Sequence, residues 1–263
     1  MRVKWENGVT KPALDIRLTE QSDLLWVWEH DGPSSRLVVC FSGIGLEGDP
    51  SPATNFASTA TQEGQNSVLF FADPNRTWLN ADGLVEAICA RIMAKAEEVG
   101  ATQIVTMGHS MGGFSALVIA GMVGADVAVA FSPQLSIDPA VVPDEKRWMK
   151  FRSQISDIKI STAAYYLNED CAYYVFFGGH PRERPQRDRF PLAENIALFR
   201  IPSVVHNSPQ RMKQAGILHS VFQNACDRRR RMVRRELEQT FGARIIKPEQ
   251  VSPDAVRPNG GGA

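Results

Sequence analysis

The feature that most constrains the fold is a short apolar run ending at a serine between glycines, VTMGHSMGG at residues 105–113. The run predicts a strand, a sharp turn at Ser110, and a helix that begins directly after the turn. A serine at such a turn has a strained backbone, so Gly108 and Gly112 are needed where strand and helix approach closely. The Ser110 hydroxyl is then lifted clear of the sheet, beside the first free N–H groups of the helix. This geometry favours a serine nucleophile over an ordinary strand-to-helix turn.

Length and composition favour one large α/β domain or two small ones. The chain has 263 residues, and 43% of them are hydrophobic, which is enough for a continuous core. Its 29 basic and 29 acidic residues cancel, so the whole chain has no charge that attracts nucleic acid or an anionic membrane. The four cysteines lie far apart and form no metal-type pair. The N-terminus shows no apolar signal segment, and no 18-residue apolar span occurs, so we expect a cytoplasmic protein without a membrane span.

Strand and helix signals alternate along the chain. Apolar runs predict strands at residues 24–29, 36–41, 67–72, 103–107, 127–131, 171–177 and 196–201. Helical spacing predicts helices at 84–99 and 111–123, and Ser208 and Pro209 are predicted to begin a long terminal helix. Short apolar runs that alternate with helices are typical of a mostly parallel sheet with helices on both faces.

The domain organisation follows from where this alternation stops. Residues 1–247 are predicted to form a single α/β domain. Residues 134–170 break the rhythm, and we expect them to be a small cap-like insertion or a packed connection to the next strand. Residues 248–263 contain prolines and glycines without an apolar pattern, so we expect a disordered tail.

Candidate functional residues follow the predicted strands, because ligands bind beyond the carboxyl ends of strands in a parallel sheet. The stretches that follow three of these strands, at residues 42–45, 178–188 and 204–207, contain the candidates. A serine, a carboxylate and a histidine therefore occur in the order Ser110, Asp188 and His206.

These features resemble the α/β-hydrolase superfamily. The motif GHSMGG at 108–113, the order of the three residues and the strand rhythm carry the resemblance, which covers about residues 24–226. The resemblance implies the α/β-hydrolase fold and a serine–histidine–acid triad that passes an acyl group to water. It also implies an oxyanion hole built from the backbone N–H groups of Met111 and Ile44. It calls for no cofactor and no metal.

The base of this triad is assigned to His206. A serine hydroxyl is a weak nucleophile near neutral pH and needs an imidazole within hydrogen-bond reach. His206 lies after the last predicted strand and before the last helix, where the fold places its base. His180 is the alternative, since it follows the preceding strand, and His219 is expected to be a surface residue of the terminal helix.

The acid is assigned to Asp188, with two alternatives. The acid must bind the second ring nitrogen of the histidine, so it must lie at an adjacent strand end. Asp188 has the expected spacing to the following segment, and Glu183 lies in the same loop. Asp138 remains a third possibility, because some relatives take the acid from the preceding strand. Asp188 as a simple helix cap is the structural alternative.

The sequence therefore predicts a serine hydrolase that cleaves a small or medium acyl ester through an acyl-enzyme. An acyltransferase or thioesterase with the same triad, or a catalytically silent partner-binding protein, are the alternatives. The arginines at 182, 184, 187 and 189 indicate either an anionic substrate or a solvated loop. The arginine-rich run 227–236 has no interleaved aromatic residues and spreads around a helix, so nucleic acid is not expected as a partner. The expected partner is a small-molecule acyl substrate.

Overall fold

A computed structural model describes residues 14–45 and 56–247. The predicted tail at 248–263 lies outside the described residues. The strands are β1 Arg17–Gln21, β2 Trp26–His30, β3 Arg36–Phe41, β4 Ser67–Ala72, β5 Gln103–His109, β6 Val127–Phe131, β7 Ala172–Gly178, β8 Ile196–Ile201 and β9 Arg244–Ile245. The α-helices are α1 Ala57–Thr61, α2 Leu84–Glu98, α3 Met111–Val123, α4 Met149–Arg152, α5 Arg184–Arg187, α6 Ser208–Gln214, α7 Leu218–Cys226 and α8 Arg230–Phe241. Two 3₁₀ turns occur at Ala163–Tyr166 and Pro181–Glu183.

All these strands belong to one sheet, in the order β1-β2-β4-β3-β5-β6-β7-β8-β9. The six strands from β4 to β8 in this order pair in parallel, whereas β1, β2 and β9 pair antiparallel at the two sides. The carboxyl ends of the parallel strands therefore meet at one edge of the sheet. The prediction of a mostly parallel sheet is confirmed.

Helices cover both faces of the sheet, which explains why its central strands are apolar on both sides. Helices α2 and α3 pack on one face, and α6, α7 and α8 pack on the other. Across the second face, Phe131, Phe176 and Phe199 on adjacent strands stack with centroid separations of 5.1 and 5.2 Å. The first ten residues of α3 are all buried, so the helix behind Ser110 is a fixed part of the core.

The terminal helix is divided into three, which corrects the prediction of one long helix. Gly216, with φ of 75°, separates α6 from α7, and Arg228, with φ of 55°, separates α7 from α8. The break lets Val233 and Leu237 of α8 fold back onto the sheet. None of the helices in residues 14–45 and 56–247 has the length and apolar character needed to cross a bilayer.

Candidate active site

Ser110 stands at a strained turn between β5 and α3. Its φ of 60° and ψ of −119° lie outside the regions that ordinary residues adopt. A Cβ atom added at Gly108 would lie 2.1 Å from the carbonyl oxygen of Gly112. A Cβ atom at Gly112 would lie 2.2 Å from the carbonyl oxygen of Phe41. Both approaches exclude a side chain, so the predicted need for glycine on either side of Ser110 is confirmed.

The two predicted oxyanion donors lie beside this turn. Met111 begins α3, so its N–H belongs to the first helical turn, whose N–H groups have no acceptor within the helix. Ile44 lies on the loop after β3, and the close approach of Gly112 to Phe41 brings that loop against the start of α3. The Nε atom of Arg76 donates to the Ile44 carbonyl oxygen at 3.0 Å, and this hydrogen bond holds the loop in place.

His206 lies beside the residue that precedes the serine. The ring centroids of His206 and His109 are 4.8 Å apart, and His109 Nε2 donates to the backbone oxygen of His206 at 2.7 Å. Burial, and then the neighbouring His206, lower the pKa of His109 to about 4, so His109 is neutral near pH 7. His206 Nδ1 lies 3.1 Å from Glu183 Oε1, while the buried Nε2 atom has no hydrogen-bond partner among the described residues. The second ring nitrogen is therefore available to another group.

The carboxylate at His206 belongs to Glu183, and the prediction that Asp188 would lie there is wrong. Glu183 is fully buried. The Asp188 side chain is 51% exposed, and its Oδ1 atom accepts from Nε of Arg187 at 2.7 Å. Asp188 ends helix α5 at its C-cap position, whereas Glu183 precedes the helix. The sequence alternative of Glu183 is the one that the geometry supports.

Local structure turns Glu183 inward. The 3₁₀ turn Pro181–Glu183 continues directly into α5, which gives the segment a helical period. Glu183, Gln186 and Arg187, at spacings of three and four residues, are the buried side chains of this segment. Arg187 Nη1 donates to the backbone oxygen of Gly178 at 3.1 Å and attaches α5 to the end of β7. Position 188 falls on the outer face of the same helix.

The other candidate residues have structural contacts. His180 is exposed, and its Nδ1 atom accepts from the backbone N–H of Arg182 at 3.2 Å, so the ring caps the 3₁₀ turn. His219 is exposed on α7. Asp138 accepts from the backbone N–H of Ala140 at 2.8 Å, as an aspartate in a turn commonly does.

Gln134 contacts Ser110 directly and was not assigned a role from the sequence. Its Nε2 atom donates to Ser110 Oγ at 3.2 Å, and its Oε1 atom accepts from Nε1 of the buried Trp78 at 3.3 Å. Trp78 thereby fixes which end of the amide faces the serine. Since Ser110 Oγ accepts this bond, its own proton stays available for an acceptor. In the sequence, this contact is signalled by a glutamine three residues after the carboxyl end of β6.

Arg147 joins the site from the 134–170 segment. Its Nη1 atom lies 2.7 Å from Glu183 Oε1 and 3.1 Å from His206 Nδ1. Its Nη2 atom lies 2.6 Å from Oε2 of the buried Glu145. Burial lowers the pKa of Arg147, but the two carboxylates outweigh burial and raise it, so the guanidinium is charged.

The predicted arginine cluster separates into different environments. Arg187 is buried, and Arg189 forms an ion pair with Asp144 at 3.0 Å. The side chains of Arg182 and Arg184 are exposed and that of Arg189 is 38% exposed, so these three could meet an anionic ligand from solvent. Within residues 14–45 and 56–247, no group of three or more His, Cys, Asp or Glu side chains could hold a metal ion.

Comparisons with known proteins identify the fold. No family model and no curated protein matches the sequence. The capsule O-acetyltransferase of Neisseria meningitidis serogroup A has a TM-score of 0.59 and 13% identity, over 83% of this chain and 98% of that chain. The chain has the α/β-hydrolase fold. An esterase of Pyrococcus furiosus has a TM-score of 0.54 and 14% identity, over 80% of this chain and 91% of that chain. Est1E from Butyrivibrio proteoclasticus has a TM-score of 0.51 and 15% identity, over 81% and 96%.

Proposed function

We propose that the protein is a serine hydrolase that cleaves a small or medium acyl ester with Ser110, His206 and Glu183. The observation that carries this proposal is the environment of His206. One ring nitrogen contacts a fully buried carboxylate, and the other is buried without a partner among the described residues, beside a strained serine turn. A general base needs one ring nitrogen held by an acid and the other kept for the nucleophile, and the two nitrogens of His206 are divided in this way.

Each residue has a defined step in the proposed reaction. Ser110 Oγ attacks the acyl carbon, and its proton passes to His206 Nε2, which then protonates the leaving alcohol. Glu183 stabilises the imidazolium that forms between these transfers. A water molecule attacks the acyl-enzyme by the same route and releases the acid. The N–H groups of Met111 and Ile44 stabilise the oxyanion, and one such donor typically contributes about 3 kcal/mol.

Labelling with a fluorophosphonate probe and turnover of an ester panel test this proposal. The wild-type protein is expected to be labelled and to hydrolyse short acyl esters. Ser110→Ala should lose both activities, because no oxygen remains to form the covalent bond. Ser115→Ala is the matched control, since Ser115 lies in the same helix and its hydroxyl donates to the backbone oxygen of Met111 at 3.2 Å. Labelling of the Ser110→Ala protein at the wild-type rate would contradict the assignment.

Acyl transfer to an alcohol is the second candidate, supported by the likeness to the Neisseria O-acetyltransferase. Another structure of that enzyme is a complex with CoA, and its TM-score to this chain is 0.52 at 12% identity. The same triad serves if a thioester donates the acyl group and a hydroxyl replaces water in the second step. Release of free CoA from acetyl-CoA that rises with added alcohol would favour transfer. Release that is unaffected by alcohol would favour a hydrolase or thioesterase.

The surroundings of the site complete the proposal. We propose that residues 134–170 act as a small cap, because Gln134 and Arg147 bring this segment to Ser110 and His206.

We propose the cytoplasm as the location, which fits the four cysteines, because they are free thiols. A silent partner-binding protein with this fold would give neither probe labelling nor turnover.

A further inference from the structure

We propose that Arg147 is a positioning residue of the active site, which orients Glu183 and controls the charge and tautomer of His206. This inference rests on the function proposed above. It starts from one guanidinium nitrogen, Nη1, which lies 2.7 Å from Glu183 Oε1 and 3.1 Å from His206 Nδ1. The residue that orients the histidine is therefore itself held by a cation.

Burial makes this cation necessary. The Glu183 side chain is completely buried, with 0% of its surface accessible to solvent. Its negative charge therefore requires a compensating positive charge inside the protein. Arg147 provides this positive charge. Its guanidinium is held on the opposite side by the Glu145 carboxylate, which Nε and Nη2 contact at 2.9 and 2.6 Å. Glu145 is in turn bonded by Gln186 Nε2 at 3.2 Å. The guanidinium thus bridges two buried carboxylates in a fixed orientation.

The charge balance of this cluster favours proton uptake at His206. With a neutral imidazole, Glu145 and Glu183 contribute two negative charges and Arg147 one positive charge, which leaves a net charge of minus one. Proton transfer from Ser110 to His206 makes the cluster neutral. Without Arg147 the cluster would hold two uncompensated negative charges, and the imidazolium would be stabilised before any reaction occurs.

The same contact also bears on the tautomer. If Nδ1 carries the proton, it donates to Glu183 and Nε2 is free to accept from Ser110, which is the productive state. If Nδ1 instead accepts from Arg147, Nε2 carries the proton and cannot act as a base. Glu183 Oε1 lies within reach of both N–H groups, and this shared acceptor holds the productive arrangement.

The surroundings of His206 isolate this effect. The titratable groups that contact its ring or backbone among the described residues are Glu183, Arg147 and His109. His109 is neutral near pH 7, because its pKa is about 4. A change in the titration of His206 on replacing Arg147 therefore reports on the Arg147 charge.

The test compares Arg147→Met with Arg152→Met. Arg152 lies five positions further along and is also buried, but its guanidinium bonds backbone oxygens, those of Ile137 at 2.6 Å, Glu145 at 2.9 Å and Arg147 at 3.3 Å, and neither the Glu183 carboxylate nor the His206 ring. We expect the acid limb of the kcat/KM profile to move to higher pH by about one unit or more in Arg147→Met, since an imidazolium beside Glu183 alone persists to higher pH. Arg152→Met should lower stability without moving the limb. An unmoved limb in Arg147→Met, or an equal shift in Arg152→Met, would overturn the inference.

A second variant, Arg147→Lys, separates the positioning role from the charge. It also keeps the inference testable if Arg147→Met fails to fold. Arg147→Lys keeps the cation but lacks the planar guanidinium whose separate nitrogens contact Glu183 and Glu145, so we expect a wild-type limb position with kcat reduced by about tenfold or more. A wild-type kcat in Arg147→Lys would overturn the positioning role.

NMR titration of the His206 ring keeps this test independent of the proposed function. With His206→Ala used for assignment, the ring should titrate at higher pH in Arg147→Met than in the wild type, even if the ester panel shows no turnover. Absent turnover with a shifted titration would contradict the hydrolase proposal alone. An unshifted titration would contradict the role of Arg147 alone.

Discussion

Replacing Glu183 with glutamine removes the carboxylate that contacts His206 and keeps the volume of the side chain nearly unchanged. The amide removes the negative charge that lies 3.1 Å from His206 Nδ1 in a fully buried position. Its NH₂ group can also face Nδ1 and favour the tautomer with the proton on Nε2, which cannot accept from Ser110. The equivalent change in a serine triad lowers kcat about 10⁴-fold, or about 5 kcal/mol of transition-state stabilisation. We expect a loss of that order in Glu183→Gln.

The assay is kcat on a chromogenic short-chain ester, with the free energy of unfolding measured in urea for each variant. Arg147 keeps its contacts with Glu145 when Glu183 is replaced, so the expected loss of stability is only about 1–3 kcal/mol. Asp188→Asn is the matched control, because Asp188 lies on the same segment with a half-exposed carboxylate bonded to Arg187. Its kcat should stay within about twofold of the wild type.

The opposite pattern would refute the reasoning. A Glu183→Gln enzyme with near-normal kcat and intact folding would show that the buried carboxylate does not serve His206. A loss of several orders of magnitude in the kcat of Asp188→Asn would show instead that Asp188, the residue assigned from the sequence, is the acid.

Three further predictions concern the turn, the triad and the pH dependence of stability. Gly112→Ala should cost at least about 3 kcal/mol of unfolding free energy, since its Cβ would lie 2.2 Å from the Phe41 carbonyl oxygen, and unchanged urea unfolding would contradict the close approach. The double variant Ser110→Ala/His206→Ala should be barely slower than either single variant in kcat, because the triad acts as a unit, and additive losses would argue against it. Burial raises the pKa of Glu145, but Arg147 outweighs burial and holds the pKa below its usual 4.5. The ionised Glu145 thus stabilises the fold above pH 4.5, and the free energy of unfolding should fall as the pH drops through the lower pKa of the folded state. Urea unfolding at a series of acidic pH values should show a weaker pH dependence in Glu145→Gln than in the wild type.

The parallel core of the fold was predictable because apolar runs mark it. Strands β3, β4, β6 and β8 and helix α3 have the bounds that the sequence pattern predicts. These elements are buried on all or nearly all sides, so hydrophobic patterning is decisive for them. Strand β1, with every residue exposed, carries no such pattern and was missed. The two-residue strand β9 was missed for its shortness.

The residues of the site differ in how far the sequence could indicate them. Ser110 is identified by the glycines around a strained turn, and this signal is local. Glu183 and Asp188 lie in one polar stretch, where the buried face consists of Glu183, Gln186 and Arg187 rather than apolar residues. Hydrophobic periodicity cannot find a buried face made of polar side chains. Arg147 reaches the site only through tertiary folding of the 134–170 segment, so no local pattern indicates it.

Peptide mapping of the acyl-enzyme tests the central claim most directly. The wild-type protein is mixed with an activated short-chain ester, quenched in acid within the first turnover, digested and analysed by mass spectrometry. We predict one acyl group on the peptide that contains Ser110, formed in Arg152→Met as in the wild type and strongly reduced in His206→Ala. Ester turnover without an adduct, or an adduct on another residue such as Ser42, would contradict the account.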